Sequence, residues 1–396
     1  MLSKRIENMA PSSTVALTAK VGELKRQGVD IISFNVGEPD FNTPANINKE
    51  AIKAINEGFT KYTAAAGIPE LRDAICEKLM NDNGVKYKSS QITVGTGAKQ
   101  SLANAILTVC DDGDEVIVPT PCWVSYTELI KLAQGTPVLV ETDESDGFQL
   151  NIDKIKSVIT NRTKAIIINT PNNPTGAVYN RKILTELGNL AVQNNFYIIS
   201  DEVYEKLVYD GEKHVCIASI SSEIKEKTII INGFSKAYAM TGWRIGYGAG
   251  PDDVIKGMNA LQSHMTSNTN SITQKAAIEA LNGPQEVVDF MREKFNERRI
   301  YLLSRLKNIK NIECVEAKGA FYLIPNISRL FGKEYNGKVL ENSADFASFL
   351  LEAAHVAVVA GDAFEAPNCI RISYSNSIEN IKEGMDRIEM AITLLK

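Results

Sequence analysis

The pattern of the chain predicts an α/β protein: a mainly parallel seven-stranded sheet with helices on both faces, plus a smaller α+β domain. Three observations predict it. Seven short runs, mostly apolar and rich in β-branched residues, recur between residues 91 and 250: "QITVG", "DEVIVP", "TPVLVE", "KAIIIN", "FYIIS", "TIIIN" and "IGYGAG". Most are separated by stretches with apolar residues three and four apart, the period of an amphipathic helix. Continuous apolar strands alternating with helices belong to parallel sheets buried on both faces. After "LNGPQE" at 281–286 the pattern changes to a long charged helix and short mixed elements.

Taken in order, "NKEAIKAINEG" and "IPELRDAICEKLMND" predict helices ahead of the first sheet strand. "KQSLANAILTVC", "WVSYTELIKLA" and "ILTELGNLAVQNN" predict helices between strands. Beyond residue 286, "VVDFMREKFNERRIYLLSRLKN" predicts a helix, "IECVEA" and "GAFYLIP" strands, and "SADFASFLLEAAH" a helix. "VAVVAG" and "CIRISYS" complete the strands before a final helix, and "SRLFGKEYNGKVLENS" is the one long irregular stretch. The expected division is an N-terminal segment 1–45 packing with the small domain, a large domain 46–283 and a small domain 284–396.

Composition narrows the function. With 396 residues, 44% hydrophobic and 23% charged, the chain has ordinary globular proportions and room for two domains. A net charge of −5 and the lack of any Lys/Arg-rich run argue against a nucleic-acid surface. No apolar stretch reaches the roughly 18–20 residues of a membrane helix. "MLSKRIENMAPSS" lacks a signal-peptide core, so a cytoplasmic location is expected. The six cysteines are scattered without a C-x-x-C and read as free thiols in a reducing compartment. His214, His264 and His355 have no metal-ligand spacing, so no metal is expected.

Ligands of an open α/β sheet gather at the carboxyl ends of its strands. Four strand ends here carry residues a core does not need. "AIIINTPNNPTG" delivers Asn172 and Asn173, "FYIISDEVY" delivers Asp201 and Tyr204, and "IIINGFSK" delivers Ser235 and Lys236. "ITVGTGAKQS" is a small-residue turn opening a helix near Ala98. Each has an ordinary reading: turn chemistry for Asn-Pro-x-Gly, a helix cap for Asp, a lysine reaching out to water. "GTGAKQ" also fits neither glycine-rich phosphate fingerprint, which counts against a nicotinamide oxidoreductase. Four such ends on one edge of one sheet nonetheless point to a site.

The chemistry of that set is specific. A helix N-terminus suits a phosphate, and Ser235 and Arg244 add donors to the same anion. A lysine between cationic neighbours and apolar walls has a lowered pKa and attacks aldehydes to form a Schiff base. A carboxylate such as Asp201 keeps a pyridine nitrogen protonated, and Asn173 and Tyr204 suit a ring hydroxyl. Together they describe pyridoxal 5′-phosphate. Arg371, in the apolar "NCIRISYS", is costly there unless paired, and its fork matches a carboxylate; an internal ion pair is the alternative.

The ordered motifs "GEPDF", "KYTAAAGIPELR", "PCWVSY", "NTPNNPTGAVY", "SDEVYEKLVYDG", "SKAYAMTGWRIGY", "GAFY" and "RISYS" resemble the class I aminotransferases, fold type I of the pyridoxal-phosphate enzymes. The resemblance runs over essentially the whole chain and looks closest to the bacterial-type aspartate aminotransferases. The 28 residues from Asn173 to Asp201 and the 35 from there to Lys236 fit the family. It implies that Lys236 is the Schiff-base lysine and proton carrier, and that Asp201 pairs with the ring nitrogen. It implies Asn173 and Tyr204 on the ring hydroxyl, Trp123 stacked on the ring, and Gly97, Ala98, Lys99, Ser235 and Arg244 around the phosphate. Tyr62 is implied to reach the phosphate in the other subunit of a homodimer with shared active sites. The resemblance further implies that Gly37 lines the substrate pocket and that Arg371 anchors the substrate α-carboxylate.

The expected reaction moves the amino group of L-aspartate to 2-oxoglutarate by a ping-pong mechanism. Thr14 and Lys99 match positions that help bind a distal carboxylate in similar proteins, and the same two also suit prephenate; a prephenate or aromatic aminotransferase is the alternative reaction. A pyridoxal-phosphate lyase uses the same lysine, aspartate and arginine, so the motifs fix the cofactor more tightly than the reaction. A non-enzymatic regulator on the same fold carries an added DNA-binding segment, for which this sequence offers no candidate.

Overall fold

In the computed structural model, which describes residues 2–7, 9–11 and 13–396, each of the seven runs becomes a strand of one sheet. Positions 1, 8 and 12 of the expected N-terminal segment lie outside the described residues. A two-residue strand β1 (Ile32–Ser33) precedes the sheet strands. These are β2 (Ile92–Gly95), β3 (Glu115–Thr120), β4 (Thr136–Glu141), β5 (Thr163–Asn169), β6 (Tyr197–Asp201), β7 (Thr228–Gly233) and β8 (Gly246–Ala249). Their spatial order is β2-β8-β7-β6-β5-β3-β4. Only β8 runs against its neighbours β2 and β7; the other pairs are parallel.

Alternation on the pleat sorts the apolar side chains into two layers. Ile166 and Ile168 of β5 join a cluster with Ile117, Ile198, Leu184 and Leu187. Their neighbours Ala165 and Ile167 face the other way, toward Val116, Val118, Ile199, Ile229 and the helix residues Leu102 and Ile106. Each fully buried branched side chain contributes about 2 kcal/mol of transfer free energy, so a one-residue slip of any strand is strongly disfavoured.

A further core forms beyond residue 286. Helices Glu286–Leu306, Ser343–Ala353 and Ile378–Ile392 contribute Phe295, Leu302, Phe346, Leu350, Ile381 and Met385. They pack with a three-stranded antiparallel sheet ordered Val359–Ala360, Ile370–Ser373, Tyr322–Leu323. Ile32 and Phe34 join this core, and β1 pairs in parallel with Val356–Ala357.

One expected strand does not form. "IECVEA" makes only a single bridge, Glu313 to Asn326. Its downstream backbone is drawn instead toward the large sheet: Lys318 and Gly319 N–H both donate to the Gly176 carbonyl at 2.9 Å, and Tyr209 N–H donates to the Lys318 carbonyl. The irregular stretch at 328–343 holds a short 3-10 turn and a two-residue pairing of Glu334–Tyr335 with Lys338–Val339. No helix among the described residues is long and apolar enough to cross a membrane.

Candidate active site

The carboxyl ends of β2, β3, β5, β6 and β7 share one edge of the sheet, and the reversed β8 begins there. That geometry brings together residues far apart in sequence around a cavity of about 670 Å³. Thr14, Gly37, Ala98, Lys99, Trp123, Asn173, Asp201, Tyr204, Ser235, Lys236, Arg244 and Arg371 all line it.

Lys236 leaves β7 by a tight turn, and its Nζ donates to the Gly37 carbonyl at 2.7 Å. Burial lowers its pKa to about 8; Arg371 and Arg244 push the same way, against Glu38 and Asp201. A tenth or so of such a group is the neutral, nucleophilic amine at pH 7.

Asp201 ends β6 with its side chain buried. Burial raises its pKa to about 6, and three contacts oppose that rise: the Tyr126 hydroxyl at 2.7 Å, the Val203 N–H and the charge of Lys236. Asn169, at the end of β5, donates to the Asp201 carbonyl at 3.0 Å, and its Oδ1 accepts the Asn173 N–H at 2.7 Å. The Asn173 Oδ1 is taken by Arg371 Nη1 at 3.1 Å, which leaves its amide nitrogen to donate elsewhere.

Arg371 is 3% exposed, with its guanidinium between the Tyr322 and Phe364 rings, 4.4 and 4.8 Å from their centroids. Nη2 donates to the Asn35 carbonyl at 2.9 Å, while Nε is buried with no partner. Among the described residues no carboxylate pairs with this arginine, so the internal ion pair considered above is not formed. Burial lowers its pKa, yet a guanidinium starts so high that it stays charged. The Tyr204 hydroxyl lies 2.9 Å from that of Tyr322, which joins the lysine side of the site to the arginine side.

At the other end of the cavity, helix Ala98–Val109 starts without a side-chain cap. Its N-cap Gly97 has φ +84°, and a Cβ there would lie 2.5 Å from Arg244 Nη2. The glycine therefore admits the guanidinium to the first turn of the helix, where backbone N–H groups and the positive dipole end already suit an anion. Arg244 Nη1 donates to the Thr241 carbonyl at 2.8 Å. Lys99 Nζ sits 4.7 Å from the Trp123 ring centroid, and burial with the nearby Arg244 charge lowers its pKa.

Two candidates do not line the cavity: Gly97, which lies behind the Arg244 guanidinium, and Tyr62, which is 92% exposed. Several contributors had no role in the sequence reading, among them Asn169, which ends β5. Tyr126 lies three residues after Trp123 in "PCWVSY", and Tyr322 closes "GAFY". Asn35 and Glu38 flank Gly37. Helical spacing from Trp123 was the available signal for Tyr126; Asn35 acts through its backbone carbonyl, which no residue pattern reveals.

Comparison with known proteins gives one answer. The sequence matches the aminotransferase class I and II family over residues 29–388. It is 47% identical over 389 residues to an aspartate aminotransferase of Bacillus sp. (strain YM-2), covering 98% of each chain. A probable aspartate/prephenate aminotransferase of Rickettsia felis is 46% identical, covering 99% of this chain and 96% of that one. Among solved structures, the Rhizobium meliloti aspartate aminotransferase superposes with TM-score 0.96 at 41% identity, covering 100% of both chains. The Thermus thermophilus aspartate aminotransferase with maleate gives 0.93 at 42% identity, covering 99% of both. The chain belongs to the aminotransferase class I and II family.

Proposed function

We propose that the protein is a pyridoxal 5′-phosphate-dependent aminotransferase that moves the amino group of L-aspartate to 2-oxoglutarate by a ping-pong mechanism. The observation that carries this reading is the pairing, across one cavity, of a lysine with lowered pKa and a buried arginine that has no carboxylate of its own. The residues present fit the cofactor. Gly97, Ala98, Lys99, Ser235 and Arg244 offer an anion cradle, Asp201 a carboxylate for the ring nitrogen, Asn173 and Tyr204 donors for the ring hydroxyl, and Trp123 a stacking face. When bound, the cofactor would supply an electrophilic aldehyde and an electron-withdrawing ring.

Each residue then has a defined task. Lys236 Nζ would be the nucleophile toward the aldehyde and the base that takes the substrate α-proton. Arg371 holds the α-carboxylate through donors that include the unpartnered Nε, which fixes the orientation of the Cα–H bond. Asp201, kept ionised by Tyr126, holds a proton on the ring nitrogen. Thr14 and Lys99, on the cavity wall, serve a distal carboxylate, and that role favours aspartate and glutamate. The same two residues support a second reading, prephenate as amino acceptor, in keeping with the names of the Rickettsia relatives.

The proposed assembly is a cytoplasmic homodimer in which the exposed Tyr62 reaches the partner's phosphate site. Its proposed parts are a large cofactor domain 46–283, a small domain 284–396 and a segment 1–45 against the small domain. The test is spectroscopic. L-aspartate alone is expected to convert the pyridoxal band of the loaded protein to the pyridoxamine form, and 2-oxoglutarate to restore it. A band that ignores aspartate and responds to a neutral amino acid would overturn the substrate.

A further inference from the structure

A buried polar cluster outside the cavity sits where helix Pro69–Asn83 meets the exits of β6 and β7. Lys78 and Glu205, each more than nine-tenths buried, form a direct ion pair there. Two amides add to the carboxylate: Asn232 Nδ2 donates to Oε1 at 2.8 Å and Asn83 Nδ2 to Oε2 at 2.7 Å. Burial alone raises the pKa of Glu205, but the Lys78 charge, the nearby His214 and the hydrogen bonds from Asn83 and Lys78 outweigh it and bring the group to about 2.

A buried ion pair seldom stabilises a fold more than apolar side chains of the same volume, so its position needs a reason. Glu202, Glu205 and His214 also place ligand atoms within 4.8 Å of one another. A metal ion is nonetheless the poorer reading, because the Lys78 ammonium already fills the cation position beside Glu205.

The sheet supplies the reason. Pairing of β6 with β7 ends at Asp201 opposite Ile231, with Glu202 N–H on the Ile231 carbonyl at 2.8 Å. Past that point the two chains enter separate turns, one carrying Tyr204 and the other Lys236. The Asn232 side chain spans them. Its Oδ1 accepts the Gly233 N–H at 2.7 Å, fixing the exit of β7, and its Nδ2 reaches Glu205, the residue after Tyr204.

We propose that Glu205, gripped by Lys78 and Asn83, is a positioning residue that acts through Asn232 to set the placement of Lys236 relative to Tyr204. The inference rests on Lys236 being the reactive lysine of the site. The test uses Asn232→Ala and Glu205→Gln, neither of which touches the cavity, with Leu350→Ala in the other core as a control for destabilisation alone. Two quantities are read on folded protein: the pH midpoint for acetylation of Lys236 in the cofactor-free protein, by mass spectrometry, and the dissociation constant for pyridoxal 5′-phosphate. The expected result is a midpoint moved by roughly half a pH unit or more and cofactor binding weakened about tenfold in both variants, with Leu350→Ala like the wild type. A wild-type midpoint in folded Asn232→Ala overturns the proposal, and that variant decides the matter if Glu205→Gln does not fold. Wild-type protein that binds no pyridoxal 5′-phosphate overturns the cofactor reading instead, and the acetylation midpoint still decides the positioning role.

Discussion

The Tyr126 hydroxyl donates to Asp201 Oδ2 at 2.7 Å, between two buried side chains. Burial alone would leave this carboxyl protonated well above its ordinary range, and the phenol is the largest of the contacts that keep it ionisable near neutrality. Tyr126→Phe removes the donor and little volume. Its expected effect is to raise the pKa of Asp201 above about 6, by roughly one unit. The acid limb of pyridoxal 5′-phosphate binding, followed by absorbance from pH 5 to 9, should move upward to match. An unmoved limb would separate Asp201 from cofactor binding.

Arg371 offers the second prediction. Its planar fork lies between two rings, which a lysine ammonium cannot reproduce. Arg371→Lys is expected to lower kcat/KM for L-aspartate by about a hundredfold or more, through loss of charge-assisted hydrogen bonds, and to leave cofactor absorbance intact. Steady-state kinetics beside a cofactor titration checks both halves.

Gly97 combines φ +84° with a Cβ position 2.5 Å from Arg244 Nη2. With ψ 157° this is backbone that essentially only glycine adopts, so an alanine there costs about 1–3 kcal/mol in backbone strain and displaces the guanidinium from the helix N-terminus. Gly97→Ala should therefore fold with a lower thermal midpoint and bind pyridoxal 5′-phosphate roughly tenfold more weakly, the expected loss for one charge-assisted contact. Equilibrium dialysis measures the second effect apart from the first.

The Lys78–Glu205 pair predicts a pH dependence of known sign. The folded-state pKa of Glu205, about 2, lies below its ordinary value of 4.5. Its contribution to stability is thus present above pH 4.5 and is lost as pH falls toward 2. Lys78→Met strands the anion in the interior and should cost about 3–5 kcal/mol at pH 7. The double variant Lys78→Met/Glu205→Leu should recover most of that loss, and the gap between Lys78→Met and the wild type should narrow below pH 4.5. Thermal midpoints of the three proteins across pH 3–7 give the comparison.

The large sheet was legible because its strands are buried on both faces, so runs such as "KAIIIN" and "TIIIN" carry no competing pattern. "IECVEA" looked equally strand-like, but a strand also needs a partner, and the Gly176 carbonyl takes the backbone that follows it. The polar residues at the strand ends could be read because a core has no use for them. Their partners could not. Lys236 meets the carbonyl of Gly37, 199 residues away, and Arg371 meets that of Asn35, 336 residues away. Contacts made by backbone oxygen across such separations leave no mark on residue type. Lys78 was hidden for a related reason: as one charged residue on a charged helix, it showed its burial only once Glu205 was placed against it.

Reduction of the pyridoxal 5′-phosphate-loaded protein with borohydride, followed by peptide mapping, tests the central claim most directly. The cofactor should be fixed to Lys236 alone, and Lys236→Ala should abolish the labelling. Attachment to Lys99 or another lysine, or no attachment in protein that still folds, would contradict the account.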